Sequence, residues 1–359
     1  MRYALIGCGR ISPNHVMAAR NNGLEIVALC DVERANAEDK ILKFDLDPDR
    51  VRVYEDYHEM LDREKPELVA IATESGKHAA IALECIAAGC HVIIEKPIAL
   101  SIADADAIIR AGQERGVLVS VNHQNRFNKS IQQIRRAIVK NRFGRLLYGT
   151  AHIRWARDRE YYDRAAWRGT WAEDGGVLMN QCIHDIDLLR WMMGDEIDTV
   201  YGMTDRLLHP YIEAEDLGLA VVKFKNGSYG TIEGTTDVYP RNLEETLYIF
   251  GEKGTVKAGG EAVNRIEEWK FSDYYDDPEA VKQEFSEDPP NIYGFGHTKL
   301  YRNVIRAIRG EEPLLVDGEA GKRALELVLA IYKSAAEGRP VKLPLEACST
   351  MDFVGRFPR

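Results

Sequence analysis

The sequence predicts an α/β plus α+β protein: a first domain over residues 1–121 with a mostly parallel sheet, then a domain over residues 122–359 with a large, mainly antiparallel open sheet. Three observations lead there. Short apolar runs alternate with helical stretches in the first third of the chain, which specifies a parallel sheet covered on both faces. Long alternating runs joined by hairpin signals dominate the remainder, with helices segregated from them. A chain of 359 residues also has length for about two domains, each with its own core.

Composition narrows the function classes. The chain is 45% hydrophobic and 29% charged, which are globular values. Its 47 Lys and Arg against 57 Asp and Glu leave a net charge of −10. General nucleic-acid binding needs a basic surface to displace counterions, so we expect no nucleic-acid partner. An anionic small molecule would have to meet a local cluster of arginines. No long apolar run suited to a membrane span occurs, and Met1 leads straight into a strand with no leader pattern, so we expect a cytoplasmic protein without a membrane partner. Cys8, Cys30, Cys85, Cys90, Cys182 and Cys348 form no C-x-x-C pair and meet no zinc-like histidine spacing, so we expect free thiols and no metal site.

The first strand, Tyr3–Ile6, runs into Gly7-Cys8-Gly9-Arg10-Ile11-Ser12 and a helix. A second strand, Glu25–Cys30, ends in Asp31. Strand, glycine turn, helix and a strand-end carboxylate form the dinucleotide-binding pattern of a Rossmann domain. Glycines let the backbone approach a pyrophosphate, and the helix N-terminus faces it with free N–H groups. Ser12 stands where a third glycine is usual. Asp31 can accept hydrogen bonds from ribose hydroxyls and repels a 2′-phosphate, which favours NAD, although a nearby Arg34 could accommodate the phosphate of NADP.

The alternation continues with strand Glu67–Thr73, helix His78–Ala88, strand His91–Ile94, helix Ile102–Arg115 and strand Val117–Val121. Ligands of such sheets bind beyond the carboxyl ends of the strands. Four segments therefore qualify: Gly7–Ser12, Thr73–His78, Glu95–Pro97 and Asn122–Arg126. From these, together with the strand-end Asp31, we take Gly7, Gly9, Arg10, Ile11, Asp31, Thr73, Ser75, His78, Glu95, Lys96 and Gln124 as candidate cofactor residues. Read alone, Lys96 fits a solvated strand-end lysine.

Beyond Arg126 come a helix Lys129–Asn141, a strand from Leu146 to about Ala156, and a helix from about Val177 to Met193 after Gly175-Gly176. Antiparallel strands are expected at 199–205, 217–224, 228–236, 245–250, 255–258 and 266–271, with hairpin signals at Lys225-Asn226-Gly227 and Gly251–Gly254. Helices near His297–Arg309 and Gly318–Glu337 close the chain. One face of such a sheet packs helices; the other must be covered, so we expect a homodimer or homotetramer through it. The densest chemistry is Asn180-Gln181-Cys182-Ile183-His184-Asp185-Ile186-Asp187. On one continuous helix Asn180 and His184 share a face, and Asp187 could orient the His184 imidazole. The same spacing fits a histidine with a structural hydrogen bond.

Gly7-x-Gly9, Asp31, Glu95-Lys96-Pro97, and Gly175-Gly176 followed by Asn180 and His184 resemble the glucose–fructose oxidoreductase, inositol dehydrogenase and rhizopine-catabolism (Gfo/Idh/MocA) superfamily. The resemblance covers essentially the whole chain. It implies that Lys96, at a lysine–proline bond often cis, and His184 lie beside the substrate hydroxyl and the nicotinamide, with both as catalytic residues.

Further motifs are Glu160-Tyr161-Tyr162, Trp167-Arg168-Gly169-Thr170-Trp171, Met179-Asn180-Gln181, Tyr239-Pro240-Arg241-Asn242-Leu243-Glu244, Gly251–Val256 and Tyr293-Gly294-Phe295-Gly296-His297. These resemble the UDP-N-acetylglucosaminuronate 3-dehydrogenases of bacterial surface-polysaccharide biosynthesis. Inositol dehydrogenases carry Asp where this chain has Asn180. The resemblance implies oxidation of a UDP-sugar acid by NAD. Asn180, Arg168, Arg241, Asn242 and Tyr161 would bind substrate, and Trp167 and Arg168 would also meet the cofactor. Arg126, Arg154, Arg157 and Arg159 add positive charge to the same segments, and Tyr162 and Trp171 could add aromatic walls. Another superfamily dehydrogenase or ketoreductase, acting on an inositol, a free sugar or a different nucleotide sugar, remains an alternative, as does an NAD(H)-binding regulator.

Overall fold

The structure, a computed structural model, describes residues 1–287 and 294–357. It divides into two compact units: unit 1 holds Met1–Gln124 and His297–Lys322, unit 2 holds Asn125–Gly296 and Arg323–Arg359. The division expected at 121/122 was contiguous. The difference is a C-terminal segment that belongs with unit 1, where the buried Tyr301 hydroxyl lies 2.9 Å from that of Tyr3 and Ser120 Oγ donates to the Val316 carbonyl.

Unit 1 begins β1 (Arg2–Ile6), α1 (Ser12–Asn21), β2 (Glu25–Cys30), α2 (Arg34–Lys43), β3 (Arg52–Tyr54), α3 (Tyr57–Glu64) and β4 (Leu68–Ile71). It continues α4 (His78–Ala87), β5 (His91–Ile94), α5 (Ile102–Arg115) and β6 (Val119–Val121). The six strands are parallel in the order β3-β2-β1-β4-β5-β6. The order reverses between β1 and β4, the position at which open α/β sheets bind ligands. Leu68, Val69, Ala70 and Ile71 are fully buried, as a strand covered on both faces requires.

Unit 2 contains α6 (Lys129–Val139), β7 (Leu146–Arg154), α7 (Arg159–Asp163), α8 (Val177–Asn180), α9 (Ile183–Met193), β8 (Ile197–Asp205), β9 (Leu217–Phe224) and β10 (Tyr229–Thr235). It goes on through β11 (Glu244–Gly251), β12 (Gly254–Gly259), β13 (Arg265–Phe271) and α10 (Pro278–Glu284). After α11 (Gly296–Ile308) come α12 (Gly318–Glu337), whose first turn counts with unit 1, and β14 (Val341–Lys342). The eight strands lie in the order β13-β12-β11-β7-β10-β9-β8-β14, antiparallel except for β7 beside β10. The expected fold class is borne out, with that one parallel pair added.

Two glycines explain how the helices reach this sheet. A Cβ on Gly218 would lie 2.5 Å from Leu178, and one on Gly234 would lie 2.7 Å from Cys182 Sγ. Side chains there would lift α8 and the start of α9 off the sheet. The opposite face exposes Tyr148, Tyr201, Met203, Leu219, Val221 and Tyr229. All six cysteines are free and buried. Among the described residues no helix is long and apolar enough to cross a membrane.

Candidate active site

In unit 1 the turn after β1 is shaped for close approach. Gly7 has φ +91°, and a Cβ there would sit 2.5 Å from the Ala72 carbonyl at the end of β4. Gly9 is exposed with open space above it. Ser12 Oγ donates to the Gly9 carbonyl at 2.7 Å, so the residue in place of a third glycine closes the turn. Ile11 caps α1 without a side-chain hydrogen bond, but the free N–H groups expected at this helix start are not found in its first turn. Ser12 N–H donates to the Gly9 carbonyl at 3.3 Å, Pro13 has no N–H, and Asn14 N–H donates to the Ile11 carbonyl at 3.0 Å, so an anion here meets the helix dipole and the turn's backbone. Arg10 is exposed and Ile11 half-buried beside them.

Asp31 accepts from the Cys8 backbone N–H (2.7 Å), the Glu33 N–H (2.9 Å) and Asn36 Nδ2 (3.1 Å). These fix its carboxylate at the end of β2. Arg34 is paired instead with Glu38 at 2.8 Å, along α2. These residues fit an NAD dinucleotide: a cradle only glycine can form, the N-terminal end of α1 beside it, and an oriented carboxylate at the end of β2.

At the ends of the next strands, Thr73 Oγ1 donates to the Glu74 carbonyl and Ser75 is buried. His78 is 1% exposed, and its ring nitrogens face the Pro97 carbonyl at 2.7 Å and the Thr73 carbonyl at 3.2 Å. This candidate cofactor residue thus braces two strand ends. Burial lowers its pKa, against the pull of both carbonyls.

Glu95 is buried, 3.0 Å from His15 Nε2, with Asn122 Nδ2 donating to the same oxygen and His297 Nε2 at 3.8 Å. Burial alone would raise its pKa, but the contact with His15 and the nearby His297 imidazole outweigh it and hold the carboxylate ionised. Lys96 is half-buried, its N–H donates to Glu95 Oε2 at 3.2 Å, and its bond to Pro97 is cis. Gln124 is buried at the end of the same unit.

In unit 2 the helix expected from Val177 to Met193 is interrupted. Cys182 N–H donates to the Val177 carbonyl five residues back, and Asp185 N–H to the Cys182 carbonyl three back. This wide turn followed by a tight one separates Asn180, the last residue of α8, from His184 in α9, so the four-residue spacing does not fix their common face. Glu215 braces the segment, accepting from Leu178 N–H at 2.8 Å and Tyr332 OH at 2.6 Å; burial pushes its pKa up to about 8. Asn180 Nδ2 donates to Asp174, whose other oxygen accepts from Gly169 N–H.

Asp187, expected to orient His184, has its carboxylate held bidentately by Arg126 at 2.7 Å and by Arg190 at 3.0 Å. Asp185 and Glu245 lie together, both fully buried. Burial raises both, helped at Glu245 by the charge of Asp185 and at Asp185 by that of Asp187, so the pair retains a proton at neutral pH.

The arginines sort into two groups. Arg126 is used by Asp187, Arg154 by Glu233 and Glu244, and exposed Arg159 by Asp163. Arg157 and Arg168, among the described residues, have no ion-pair partner. Arg157 donates to Gln181 Oε1 (2.8 Å) and Asn242 Oδ1 (3.1 Å), and Arg168 to the Tyr161 carbonyl. Both guanidiniums lie over the Tyr161 ring, at 5.0 and 4.2 Å, and Arg168 also lies 5.5 Å from Trp167. Gln181 Nε2 donates to the Tyr161 hydroxyl at 2.8 Å.

Unit 2 thus gathers Arg157, Arg168 and Gln181 around Tyr161, with Asn242 on Arg157 and Trp167 beside Arg168. Arg241 stands exposed beyond the cis Tyr239–Pro240 bond. Trp171 and Tyr162, considered as aromatic walls, are core residues at 1% and 6% exposure. Tyr293 lies outside the described residues. Our candidate residues omitted Gln181 and Arg157, although Gln181 stands in a matched motif and Arg157 among the six arginines.

Residues 1–123 match the oxidoreductase family's NAD-binding Rossmann fold (GFO_IDH_MocA), and residues 135–343 match the same family's C-terminal alpha/beta domain. The chain is 40% identical to the WlbA dehydrogenase of Bordetella pertussis, whose structure is a complex with NADH and UDP-GlcNAcA. That match covers 96% of this chain and 98% of the other, with a TM-score of 0.89. The WlbA enzyme of Chromobacterium violaceum, in complex with the same two ligands, is 38% identical over 96% of both chains, with a TM-score of 0.86. The myo-inositol 2-dehydrogenase of Thermotoga maritima is 26% identical, over 96% of this chain and 98% of its own. The chain therefore belongs to the Gfo/Idh/MocA oxidoreductase family and is an NAD-dependent oxidoreductase of sugar-type substrates.

Proposed function

We propose that the chain oxidises the 3-hydroxyl of UDP-N-acetylglucosaminuronate. The observation that carries this reading is the pair of guanidiniums, Arg157 and Arg168, left without carboxylate partners beside Tyr161, Gln181 and Asn242. A neutral inositol has no use for two such charges, whereas a sugar acid on a diphosphate brings anions that arginine binds in a bidentate manner. The identity to the two WlbA dehydrogenases, higher than to the inositol relative, supports the same choice.

In this reading the chemistry NAD would supply, when bound, is acceptance of the hydride from the carbinol carbon. His184 accepts the hydroxyl proton, so that the C–H and O–H bonds both break and a ketone forms. Lys96 donates a hydrogen bond to the same oxygen and stabilises charge as it develops. Asn180, held by Asp174, and Arg168, Arg241, Asn242 and Tyr161 bind the substrate. Gly7, Gly9 and Asp31 hold the dinucleotide. A second copy of the chain covers the exposed outer face of the unit 2 sheet, which native mass measurement would report as a dimer or tetramer. The catalytic assignment is tested by turnover of UDP-N-acetylglucosaminuronate in His184→Ala and Lys96→Ala proteins; near-wild-type rates in either would sink it.

A further inference from the structure

We infer that unit 2 carries a site for a divalent transition-metal cation, formed by the imidazole of His209 and the carboxylates of Asp216 and Asp237. One donor atom from each lies within 4.8 Å of the others. The three come from separate places: the loop after β8, the residue before β9 and the second residue past β10. Their wide sequence separation matches no contiguous zinc pattern, which is why the sequence led us to expect no metal site.

Two features set this cluster apart from an incidental group of acids. His209 is 2% exposed, its Nδ1 lies 2.6 Å from the Tyr211 hydroxyl, and its buried Nε2 makes no hydrogen bond. That nitrogen lies 3.4 Å from Asp237 Oδ1, which is also buried and without a hydrogen-bond partner. Two ligands each about 2.05 Å from a tetrahedral ion stand about 3.4 Å apart.

Asp216 is oriented in advance. Its Oδ1 accepts from Leu207 N–H at 2.7 Å, and its Oδ2 from Leu208 and His209 N–H at 2.8 Å each. A carboxylate has about four lone-pair positions, so one remains for an ion, and the three N–H groups fix the ligand as outer partners do in metal sites.

A cation lying among an imidazole lone pair and two carboxylates relieves the repulsion between them. One nitrogen and two carboxylate oxygens suit Zn²⁺ or Mn²⁺ better than Mg²⁺, which prefers an octahedral oxygen shell with retained waters. Asp237, with 18% of its side chain exposed, leaves an opening to solvent. The other buried histidine–carboxylate cluster, His15, Glu95 and His297, differs. Both His15 nitrogens are engaged there, by Tyr301 and Glu95, and Asn122 donates to the carboxylate. A cation at His209 ties the loop carrying Tyr211 to the segment that continues into Arg241 and Asn242, so its effect falls on stability rather than on hydride transfer.

The test uses the full chain, stripped with a chelator, dialysed, and titrated calorimetrically with ZnCl₂ and separately with MnCl₂. About one equivalent per chain should bind, with a rise in melting temperature that equal MgCl₂ does not produce. Affinity should fall about tenfold or more in Asp237→Asn and His209→Gln. If His209→Gln fails to fold, Asp237→Asn, at the solvent-facing position, carries the comparison. No saturable Zn²⁺ or Mn²⁺ binding by the wild type, an equal response to Mg²⁺, or unchanged affinity in a folded variant overturns the proposal.

Discussion

Glu95 in unit 1 and Glu245 in unit 2 are both buried, yet their surroundings leave them with opposite charge. Glu95 is met by His15, Asn122 and His297 and stays ionised. Glu245 is met by Asp185, with Asn125 Nδ2 at 3.3 Å, and the two carboxyls share a proton. The difference extends outward. Arg34 in unit 1 is neutralised by Glu38, whereas Arg157 and Arg168 in unit 2 are left open. In unit 1 the carboxylates near the glycine turn are engaged, Asp31 by three donors and Glu95 by His15 and Asn122. Unit 2 leaves Arg157 and Arg168 without an ion-pair partner among the described residues.

The largest expected effect breaks the chemistry in either unit. His184→Ala or Lys96→Ala should lower kcat by roughly 10²–10⁴, read as the rate of cofactor reduction, while both proteins keep near-wild-type melting temperatures. Next comes the open arginine pair. Arg168→Ala should raise KM for the UDP-sugar acid by about 10–100-fold, the scale of one charged hydrogen bond, and leave the KM for NAD far less affected. Asp31→Ala should do the reverse, raising KM for NAD and relaxing discrimination against NADP in steady-state assays.

The smallest effects test the buried carboxyls and run in opposite directions with pH. Asp185 and Glu245 have folded pKa values above their unfolded ones. Stability from them is full below about pH 4 and is lost as pH rises through neutrality. Glu245→Gln should therefore lessen the fall in melting temperature between acid and mildly alkaline buffer, by about 2–4 °C for roughly 1 kcal/mol. Glu95 has a folded value below its unfolded one, so its contribution is present above about pH 4 and lost as pH falls through the folded value. Glu95→Gln should destabilise unit 1 at neutral pH. Identical pH profiles for the two variants would erase the contrast between the units.

Much of unit 1 was legible because strand, glycine turn, helix and strand-end acid are local patterns. The boundaries of β1, β2, α4, β5 and α5 follow directly from hydrophobic runs and breakers. The polar stretch 34–64 hides α2, β3 and α3, which amphipathic periodicity marks only weakly. In unit 2 the strands and hairpins were readable, but the interruption between α8 and α9 was not, since it depends on hydrogen bonds from Cys182 and Asp185 that no residue pattern announces.

The candidate substrate residues were found as motifs. Which arginines are free was not, because pairing of Arg126 with Asp187 and of Arg154 with Glu233 and Glu244 is decided by tertiary contacts. Asp185 and Glu245 are 60 positions apart, and their meeting lies equally beyond local reading.

The central claim, that the open guanidiniums of unit 2 serve an anionic nucleotide sugar, is tested most directly by kcat/KM of the wild-type chain with NAD for UDP-N-acetylglucosaminuronate and for myo-inositol in parallel. The account predicts robust cofactor reduction with the first and little with the second. Comparable or greater turnover of myo-inositol would contradict it.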